Sequence, residues 1–232
     1  MIFLKECVFY SAGQTEALAY GVKYLQKAGC VFVSEPDCRV THLLLDVPSK
    51  NTEGLPELLL QLSKDVTIVG GNLCVPEYQV VDLLQDPLYL AENADITAHG
   101  AVKLALELLP VTLKELPVLV IGWGRIGKCL ARLLRQMDAL VTVAARKETD
   151  RAMLTALGYR AVDLPDSPPY RLIFNTVPAP IPTRFPEDCL KIELASVPGL
   201  AGDHIINGRA LPNRCAPESS GQLIARSVLR HI

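Results

Sequence analysis

The sequence predicts an α/β protein with two domains, each built around a parallel sheet. Along most of the 232 residues, short apolar runs alternate with amphipathic segments, as expected for alternating strands and helices. Near the middle, a turn with three glycines, residues 122–127, separates a strongly apolar run from an amphipathic one. A chain of this length can bury one large core or two small ones.

Composition and charge narrow the classes of function. Of all residues, 50% are hydrophobic and 21% are charged, and the formal net charge of -2 provides no basic stripe to attract a phosphate backbone. We therefore expect no nucleic-acid partner. The seven cysteines are odd in number, widely spaced and never in a C-x-x-C pair, so we predict neither a disulfide framework nor a metal site. Such thiols are typical of a reducing cytoplasm.

No targeting or membrane segment is predicted. The first apolar run is interrupted by Lys5 and Glu6, which is unlike a signal peptide. No stretch approaches the roughly 18 unbroken apolar residues of a membrane span. We therefore expect a soluble, cytoplasmic protein with no membrane partner.

Residues 1–95 predict a small α/β domain that serves a substrate or a partner. Its predicted strands are "CVFYS", "CVFVSE", "THLLLDV" and "VTIVGG". Its predicted helices are "QTEALAYGVKYLQKAG", "LPELLLQLSKD" and "PEYQVVDLLQ". A helix over residues 96–109 then connects the two domains, with Thr97 near its predicted start and Pro110 just past its end.

Residues 96–216, which include this connecting helix, predict the second domain. Its further elements are the strand "PVLVIG", the helix "RIGKCLARLLRQM", the strand "LVTVAAR", the helix "DRAMLTALG" and the strands "YRAVDL", "YRLIFNTV" and "LKIELAS". This order is typical of a nucleotide-binding sheet. A last helix, residues 217–232, begins with Pro217 and is expected to return to the first domain and complete it.

The turn between the first strand and helix of the second domain has the pattern G-x-G-x-x-G, formed by Gly122, Gly124 and Gly127. The first glycine permits a tight turn, the second lets the backbone approach a pyrophosphate, and the third lets the helix pack close to the strand. The alternative is three glycines in an ordinary turn. The strand and helix on either side favour a dinucleotide site, in a Rossmann-like domain.

The end of the next strand indicates which dinucleotide is bound. An NAD-binding unit places Asp or Glu there for the ribose 2′-hydroxyl, whereas this chain has Ala145, Arg146 and Lys147. A guanidinium would attract a 2′-phosphate that an acid would repel. The sequence therefore predicts NADP. The alternative is that Arg146 is a solvated surface charge and that the cofactor is NAD.

Two later loops complete the predicted cofactor site, because both follow strand ends at the ligand-binding edge of such a sheet. The alternative is that their polar residues only cap the strands. The residues predicted to contact the cofactor are Gly122, Gly124, Arg125, Ile126, Gly127, Ala145, Arg146, Lys147, Asn175, Thr176, Val177, Pro178, Ala195 and Ser196.

Six separated segments together resemble the A subunit of dipicolinate synthase, an NADP-dependent family of spore-forming bacteria related to the two-domain 2-hydroxyacid dehydrogenases. They are "ITAHGAVKLAL", "VLVIGWGRIGKCLARLL", "VTVAARK", "IFNTVPAP", "ELASVPG" and "ALPNRCAPESSGQLIA". The resemblance implies two Rossmann-like domains and the oxidation of a lysine-pathway dihydrodipicolinate with NADP+. It also implies a homo- or hetero-oligomer, and a flavoprotein-like second subunit.

The chain departs from this family at several points. Its N-terminal domain is shortened, His99 stands where the family carries Glu, Glu193 where it carries Asp, and "PGL" where it carries "PGG". These departures leave the substrate open. The alternatives are a dehydrogenase of another small carboxylic acid and a non-catalytic NADP-binding scaffold subunit.

The implied reaction requires groups that hold a small dicarboxylic acid and accept a proton. Arg214, Ser219 and Ser220, at the start of the last helix, are predicted to form an anion pocket. The alternative is a solvated arginine beside a plain helix cap. His99 is the predicted base because its unperturbed pKa lies near neutrality, and the alternative is a surface or capping histidine.

Overall fold

The computed structural model describes residues 7–50, 52–164 and 170–232. The segment considered above as a leader lies mostly outside these ranges. The chain divides into two compact units: unit 1 is Met1–Asn93 together with Pro212–Ile232, and unit 2 is Ala94–Leu211. Among the described residues, no helix combines the length and the apolar character needed to cross a membrane.

Unit 1 is built around a five-stranded parallel sheet. In chain order its elements are β1 (Val8–Ala12), α1 (Glu16–Lys27), β2 (Val31–Phe32), β3 (His42–Leu45), α2 (Leu55–Leu59), β4 (Thr67–Gly70) and β5 (Gln79–Asp82). The spatial order is β2-β1-β3-β4-β5. The buried apolar residues on one side of this sheet include Leu43, Leu45 and Ile68 from β3 and β4.

The predicted helix over "PEYQVVDLLQ" is wrong. Residues 79–82 form β5, which pairs with β4 from Gln79 to Asp82, and only Leu83–Gln85 form a single 3-10 turn. The β-branched pair Val80 and Val81 favours the strand. The Asp82 carboxylate then accepts the backbone N–H of Leu84 at 2.9 Å and so ends the strand.

The long helix α3 (Pro87–Leu108) begins nine residues before the predicted start. Pro87 fits the first turn of a helix, where its missing N–H costs nothing, and the Asp86 carboxylate accepts the backbone N–H of Leu88 at 2.8 Å. The start signal is therefore Asp-Pro at residues 86 and 87. Thr97 and His99 consequently lie in the middle of the helix.

Unit 2 contains a six-stranded parallel sheet. Its elements are β6 (Pro117–Ile121), α4 (Arg125–Gln136), β7 (Leu140–Ala144), α5 (Glu148–Ala156), β8 (Arg160–Val162), β9 (Leu172–Asn175), β10 (Leu190–Glu193) and β11 (Ile205–Asn207). The spatial order is β11-β10-β9-β6-β7-β8. The strand β11 and the short helix α6 (Leu211–Cys215) were not predicted. The predicted α/β class with two parallel sheets is confirmed.

The last helix, α7 (Pro217–His231), packs against α1 within unit 1. A Cβ atom added to Gly221 would lie 2.6 Å from the carbonyl oxygen of Ala17 and 2.4 Å from the Tyr20 Cβ, so the two backbones approach closely. The buried face of α7 includes Leu223, Ile224 and Val228. Unit 1 is therefore assembled from two distant segments of the chain.

Candidate dinucleotide-binding site

The glycine turn of unit 2 has the backbone that a pyrophosphate site requires. Gly122 has φ +106°, where side chains are strained. A Cβ atom on Gly127 would lie 2.1 Å from the carbonyl oxygen of Gly122, whereas a Cβ on Gly124 would meet no atom within 4 Å. The first and third glycines are thus enclosed by protein, and the second borders open space.

The helix that follows this turn presents free amide groups to that space. Gly124 is the residue before α4, and no side chain among the residues that the structure describes caps the helix. The first N–H groups of α4 and the helix dipole therefore favour an anion at this end. The predicted Arg125 is exposed here and Ile126 is partly buried. The cradle fits the pyrophosphate of a dinucleotide.

Thr176 joins the loop after β9 to the glycine turn. Its backbone N–H and its hydroxyl both donate to the carbonyl oxygen of Ile121, at 2.9 and 2.8 Å. A Cβ atom on Gly122 would lie 2.4 Å from the Thr176 Oγ1. Gly122 is therefore required both by its backbone angle and by the close approach of Thr176.

The segment after β7 presents two cations and no acid. Ala145 is buried, and Arg146 and Lys147 are exposed. The Arg151 guanidinium donates to the carbonyl oxygens of Ala145 and Arg146, both at 2.8 Å, and contacts the Asp163 carboxylate at 3.3 Å. These bonds fix the backbone of Arg146. In the described part of the chain, the Arg146 side chain forms no ion pair.

The loops after β9 and β10 are held by a buried carboxylate and a buried amide. Asn175 is fully buried and Glu193 is 3% exposed. The Asn175 amide donates to both oxygens of Glu193, at 2.9 and 3.0 Å. The predicted Ala195 is buried beside this pair, while Pro178 and Ser196 are exposed and Val177 is half-buried. The sequence prediction missed the role of Glu193, whose signal was an acid inside the apolar run "KIELA".

The predicted base His99 lies on the surface of unit 2. Its Nε2 is 3.7 Å from an Asp95 carboxylate oxygen, and the other oxygen of Asp95 accepts a bond of 3.1 Å from Arg132. The His99 side chain is 60% exposed, and its place in the middle of α3 excludes a capping role. Its catalytic role stays a prediction.

The three residues of the predicted anion pocket differ in exposure. Arg214, in α6, and Ser219, in the first turn of α7, are exposed. Ser220 is only 2% exposed, and its hydroxyl is buried without a hydrogen-bond partner in the described residues. Ser220 precedes Gly221, the residue at the close contact of α7 with α1. The contact of Ser220 with a ligand stays a prediction.

Unit 1 has a crevice of its own at the carboxyl ends of β1 and β3, with a volume of about 460 Å³. Asp46 accepts the backbone N–H groups of Gln14 and Thr15 there, at 2.9 and 3.3 Å. The described lining residues are Tyr10, Ser11, Ala12, Gly13, Gln14, Thr15, Asp46, Thr52 and Glu53. The sequence prediction missed this crevice, whose signal is "SAGQT" after the first strand. Among the described residues, no cluster could hold a metal ion.

The sheet and the glycine cradle together define the class of protein. From β8 to β11 the strands follow the 3-2-1-4-5-6 order of dinucleotide-binding domains, with the cradle after the central strand β6. The chain is thus a two-unit α/β protein whose second unit is of the Rossmann type. The particular proteins it is similar to are dipicolinate synthase A subunits, as the sequence motifs predict.

The match in sequence is to the A subunit of dipicolinate synthase from Bacillus subtilis (strain 168), with 27% identity over 150 residues. It covers 57% of this chain and 50% of that protein, so the matched part spans about half the length of the curated relative. No protein-family model matches the chain.

Solved structures share the fold. The A subunit of dipicolinate synthase from Bacillus halodurans has a TM-score of 0.81 and 19% identity, over 97% of each chain. The A subunit of the Bacillus subtilis enzyme has a TM-score of 0.78 and 19% identity, over 98% of this chain and 97% of that one. A transhydrogenase from Sinorhizobium meliloti has a TM-score of 0.65 and 12% identity, over 97% and 92%.

Proposed function

We propose that this protein is an NADP-dependent oxidoreductase that converts a small dicarboxylic acid, a dihydrodipicolinate from the lysine pathway, to dipicolinate. The observation that carries the proposal is the glycine cradle of unit 2, followed at the next strand end by Arg146 and Lys147 instead of an acid. The similarity to dipicolinate synthase A subunits and to a transhydrogenase supports an oxidoreductase role with a nicotinamide cofactor.

The residues of the chain would divide the binding of the cofactor between them. The N–H groups at the start of α4 would hold the pyrophosphate, and the Arg146 guanidinium would form a charge-assisted pair with the 2′-phosphate. Thr176 and the loops after β9 and β10 would border the nicotinamide half. NADP+, when bound, supplies the hydride acceptor.

The reaction asks little more of the protein. Oxidation of the dihydropyridine removes one hydride and one proton, and the gain of an aromatic ring drives it. Arg214 and Ser219 are proposed to hold the substrate carboxylates, and His99, oriented by Asp95, is proposed to accept the proton. We further propose cytoplasmic localisation, an oligomeric assembly and a partner in the form of a flavoprotein-like second subunit.

One observation favours a second candidate. The described lining of the unit 1 crevice contains the carboxylates of Asp46 and Glu53 and no lysine or arginine, which suits a dicarboxylic acid poorly. A scaffold subunit that binds NADP without catalysis would accommodate this lining, whereas a dehydrogenase of another small carboxylic acid would face the same like charges with one substrate carboxylate fewer.

A coupled assay tests the proposal. The lysine-pathway aldolase, pyruvate and aspartate semialdehyde form a cyclic aldol product in the cuvette, which gives the dihydrodipicolinate on loss of water. This protein and NADP+ are added with and without the second subunit. We expect dipicolinate and NADPH to appear in equal amounts, above the rate of a reaction without the protein. NADPH binding in a parallel fluorescence titration, without any product, would leave the scaffold candidate or another substrate.

A further inference from the structure

Glu193, at the carboxyl end of β10, is a buried carboxylate without a cation. It is 3% exposed, and no ion pair involving it occurs among the described residues. Burial of an unpaired carboxylate is costly unless hydrogen bonds replace its hydration. Here the backbone N–H groups of Ala195, Gly199 and Leu200 donate to it at 3.0, 2.8 and 3.1 Å. Glu193 therefore gathers the whole loop after β10 around one side chain.

Asn175 does the same for the loop after β9. It is fully buried, its Oδ1 accepts the backbone N–H of Val177 at 3.0 Å, and its Nδ2 donates to the carbonyl oxygen of Val177 at 3.1 Å. The same Nδ2 reaches both oxygens of Glu193. The two loops are therefore joined through one side-chain pair.

Backbone contacts reinforce this junction. The N–H of Ile181 donates to the carbonyl oxygen of Gly199 at 2.8 Å. A Cβ atom on Gly199 would lie 2.2 Å from the carbonyl oxygen of Ala179 and 2.9 Å from the Asn175 Nδ2. The loops are thus in direct contact, and a shift of one requires a shift of the other.

The position of this junction in the sheet indicates its use. The central strand β6 holds the glycine cradle, and β7, which precedes Arg146, lies on one side of it. β9 and β10 lie on the other side. A dinucleotide that places its 2′-phosphate by Arg146 and its pyrophosphate at the cradle extends its nicotinamide half over the loops after β9 and β10.

We propose that Glu193 and Asn175 form a positioning pair that fixes these two loops in the geometry that receives the nicotinamide half of the cofactor. The inference rests on the dinucleotide site of the proposed function and not on its substrate. The pair acts through the loop residues Val177 and Ala195 and does not itself contact the adenosine half.

Glu193→Gln is the informative change because it preserves size and removes one acceptor. Whichever way the new amide turns, its NH₂ faces the backbone N–H of either Ala195 or Gly199, and that group loses its partner. Flipping Asn175 offers no remedy, because it would break both bonds to Val177. In the E193Q variant, we expect the loop after β10 to open and the affinity of the protein for the nicotinamide half of the cofactor to fall.

The readout compares two ligands by fluorescence or calorimetric titration of the full chain. NADPH engages both halves of the site, and adenosine 2′,5′-bisphosphate engages only the adenosine half. E193Q is expected to weaken NADPH about tenfold, as for the loss of a charged hydrogen bond, and to leave the bisphosphate within about twofold of the original chain. Glu193→Asp, which keeps the charge, is expected to recover part of the loss and serves if the Gln variant does not fold.

Lys191→Gln is the matched control. Lys191 lies on the same strand, is 1% exposed and donates to the carbonyl oxygen of Pro186 at 3.3 Å, at the opposite end of β10. The Lys191→Gln change should lower the melting temperature without changing the ratio of the affinities for NADPH and the bisphosphate. Equal loss of both ligands in E193Q, or no loss of either, overturns the positioning role even if the coupled assay succeeds. If the original chain binds neither NADPH nor the bisphosphate, both proposals fail; binding of NADPH without turnover contradicts only the proposed reaction.

Discussion

The proposed choice of NADP depends on one side chain, that of Arg146, which follows the buried Ala145. Arg151 donates hydrogen bonds to the backbone carbonyls of Ala145 and Arg146, which fixes the backbone position of Arg146. The Arg146 side chain itself is exposed to solvent. An exposed guanidinium loses little hydration until a phosphate arrives, and the fork-like pair it then forms is charge-assisted. Under the proposed function, this single side chain would set the preference between NADP and NAD.

Arg146→Asp is expected to reverse this preference. The change removes the partner of the 2′-phosphate and adds a like charge. NADPH affinity should therefore fall by about tenfold to a hundredfold, which corresponds to a loss of roughly 1.5–3 kcal/mol in binding free energy. NADH affinity should stay level or rise. Fluorescence titration of both cofactors measures the effect, with Arg160→Asp, at the amino end of β8, as the control for net charge. Equal affinity for the two cofactors before and after the change contradicts the argument.

The glycines of the cradle provide a matched pair of substitutions. Gly127→Ala would force a Cβ to within 2.1 Å of the Gly122 carbonyl oxygen, so we expect a loss of stability of about 1–3 kcal/mol, as for an overpacked core. Gly124→Ala meets open space at φ -82°, so the fold should be unaffected while the pyrophosphate loses room. Denaturant unfolding and NADPH titration separate the two effects. A stable Gly127 variant with full affinity would be the contrary result.

Single residues were predictable from the sequence where local pattern determines their environment. The three glycines and the basic strand end follow from spacing alone. Ser220 and Glu193 do not, because their burial is produced by tertiary packing: Ser220 is 2% exposed, and Glu193 is bonded to Asn175 at the end of β9. A helix-start serine and a strand-end acid have the same local signature whether they face a ligand or the protein interior.

Among the helices and strands, the sequence-based prediction was wrong where one segment fits both a strand and a helix. The apolar residues around Val80 and Val81 fit the spacing of a helix as well as that of a strand. Pairing with β4 favours the strand. The start of α3 was predicted from a threonine although Asp86 and Pro87 are the stronger signal. The strands of unit 2 were predicted well because β6, β7, β9 and β10 are buried runs between clear turns.

The close packing of α7 on α1 predicts how glycine substitutions at this contact change the stability of the protein. Gly221→Ala would place a Cβ 2.6 Å from the Ala17 carbonyl oxygen, so the helices must separate, at a cost of about 1–3 kcal/mol. Gly21→Ala meets its nearest atom at 3.4 Å and removes a helix-interior glycine, worth up to about 1 kcal/mol, so it should be neutral or stabilising. Urea unfolding of both variants measures the difference. Similar behaviour of the two would show that these helices do not pack as closely as described.

Across the whole molecule, burial divides the cysteines into three groups: two are exposed, three are of intermediate exposure (Cys7, Cys129 and Cys215) and two are buried (Cys30 and Cys189). Cys38 and Cys74 are exposed, whereas Cys189 is 2% exposed and burial raises its pKa to about 11. Ellman's reagent at pH 8 should therefore modify Cys38 and Cys74 in a fast phase. Cys189 should react only as fast as the protein opens, and all thiols should react at once in urea. A variant with serine at positions 38 and 74 should lose the fast phase, and rapid labelling of Cys189 there would be the opposite of what we expect.

The same shift predicts how stability depends on pH. A folded-state pKa raised above the unfolded value of about 8.5 means that the contribution of Cys189 is complete below that pH and is lost as pH rises toward 11. The thermal midpoint should fall over this window. Cys189→Ala should make the fall shallower, and an unchanged slope would assign the effect to other groups.

The discontinuity of unit 1 bears on how the chain folds as it is synthesised. Tyr24 of α1 and Glu218 of α7, which share a hydrogen bond of 2.8 Å, are 194 residues apart. When α1 leaves the ribosome, the helix that covers it has not yet been translated, whereas every strand of unit 2 is complete before α7 emerges. The nucleotide-binding half would therefore mature first on the nascent chain. The first-made segment would wait with an apolar helix face uncovered, the surface on which chaperones act.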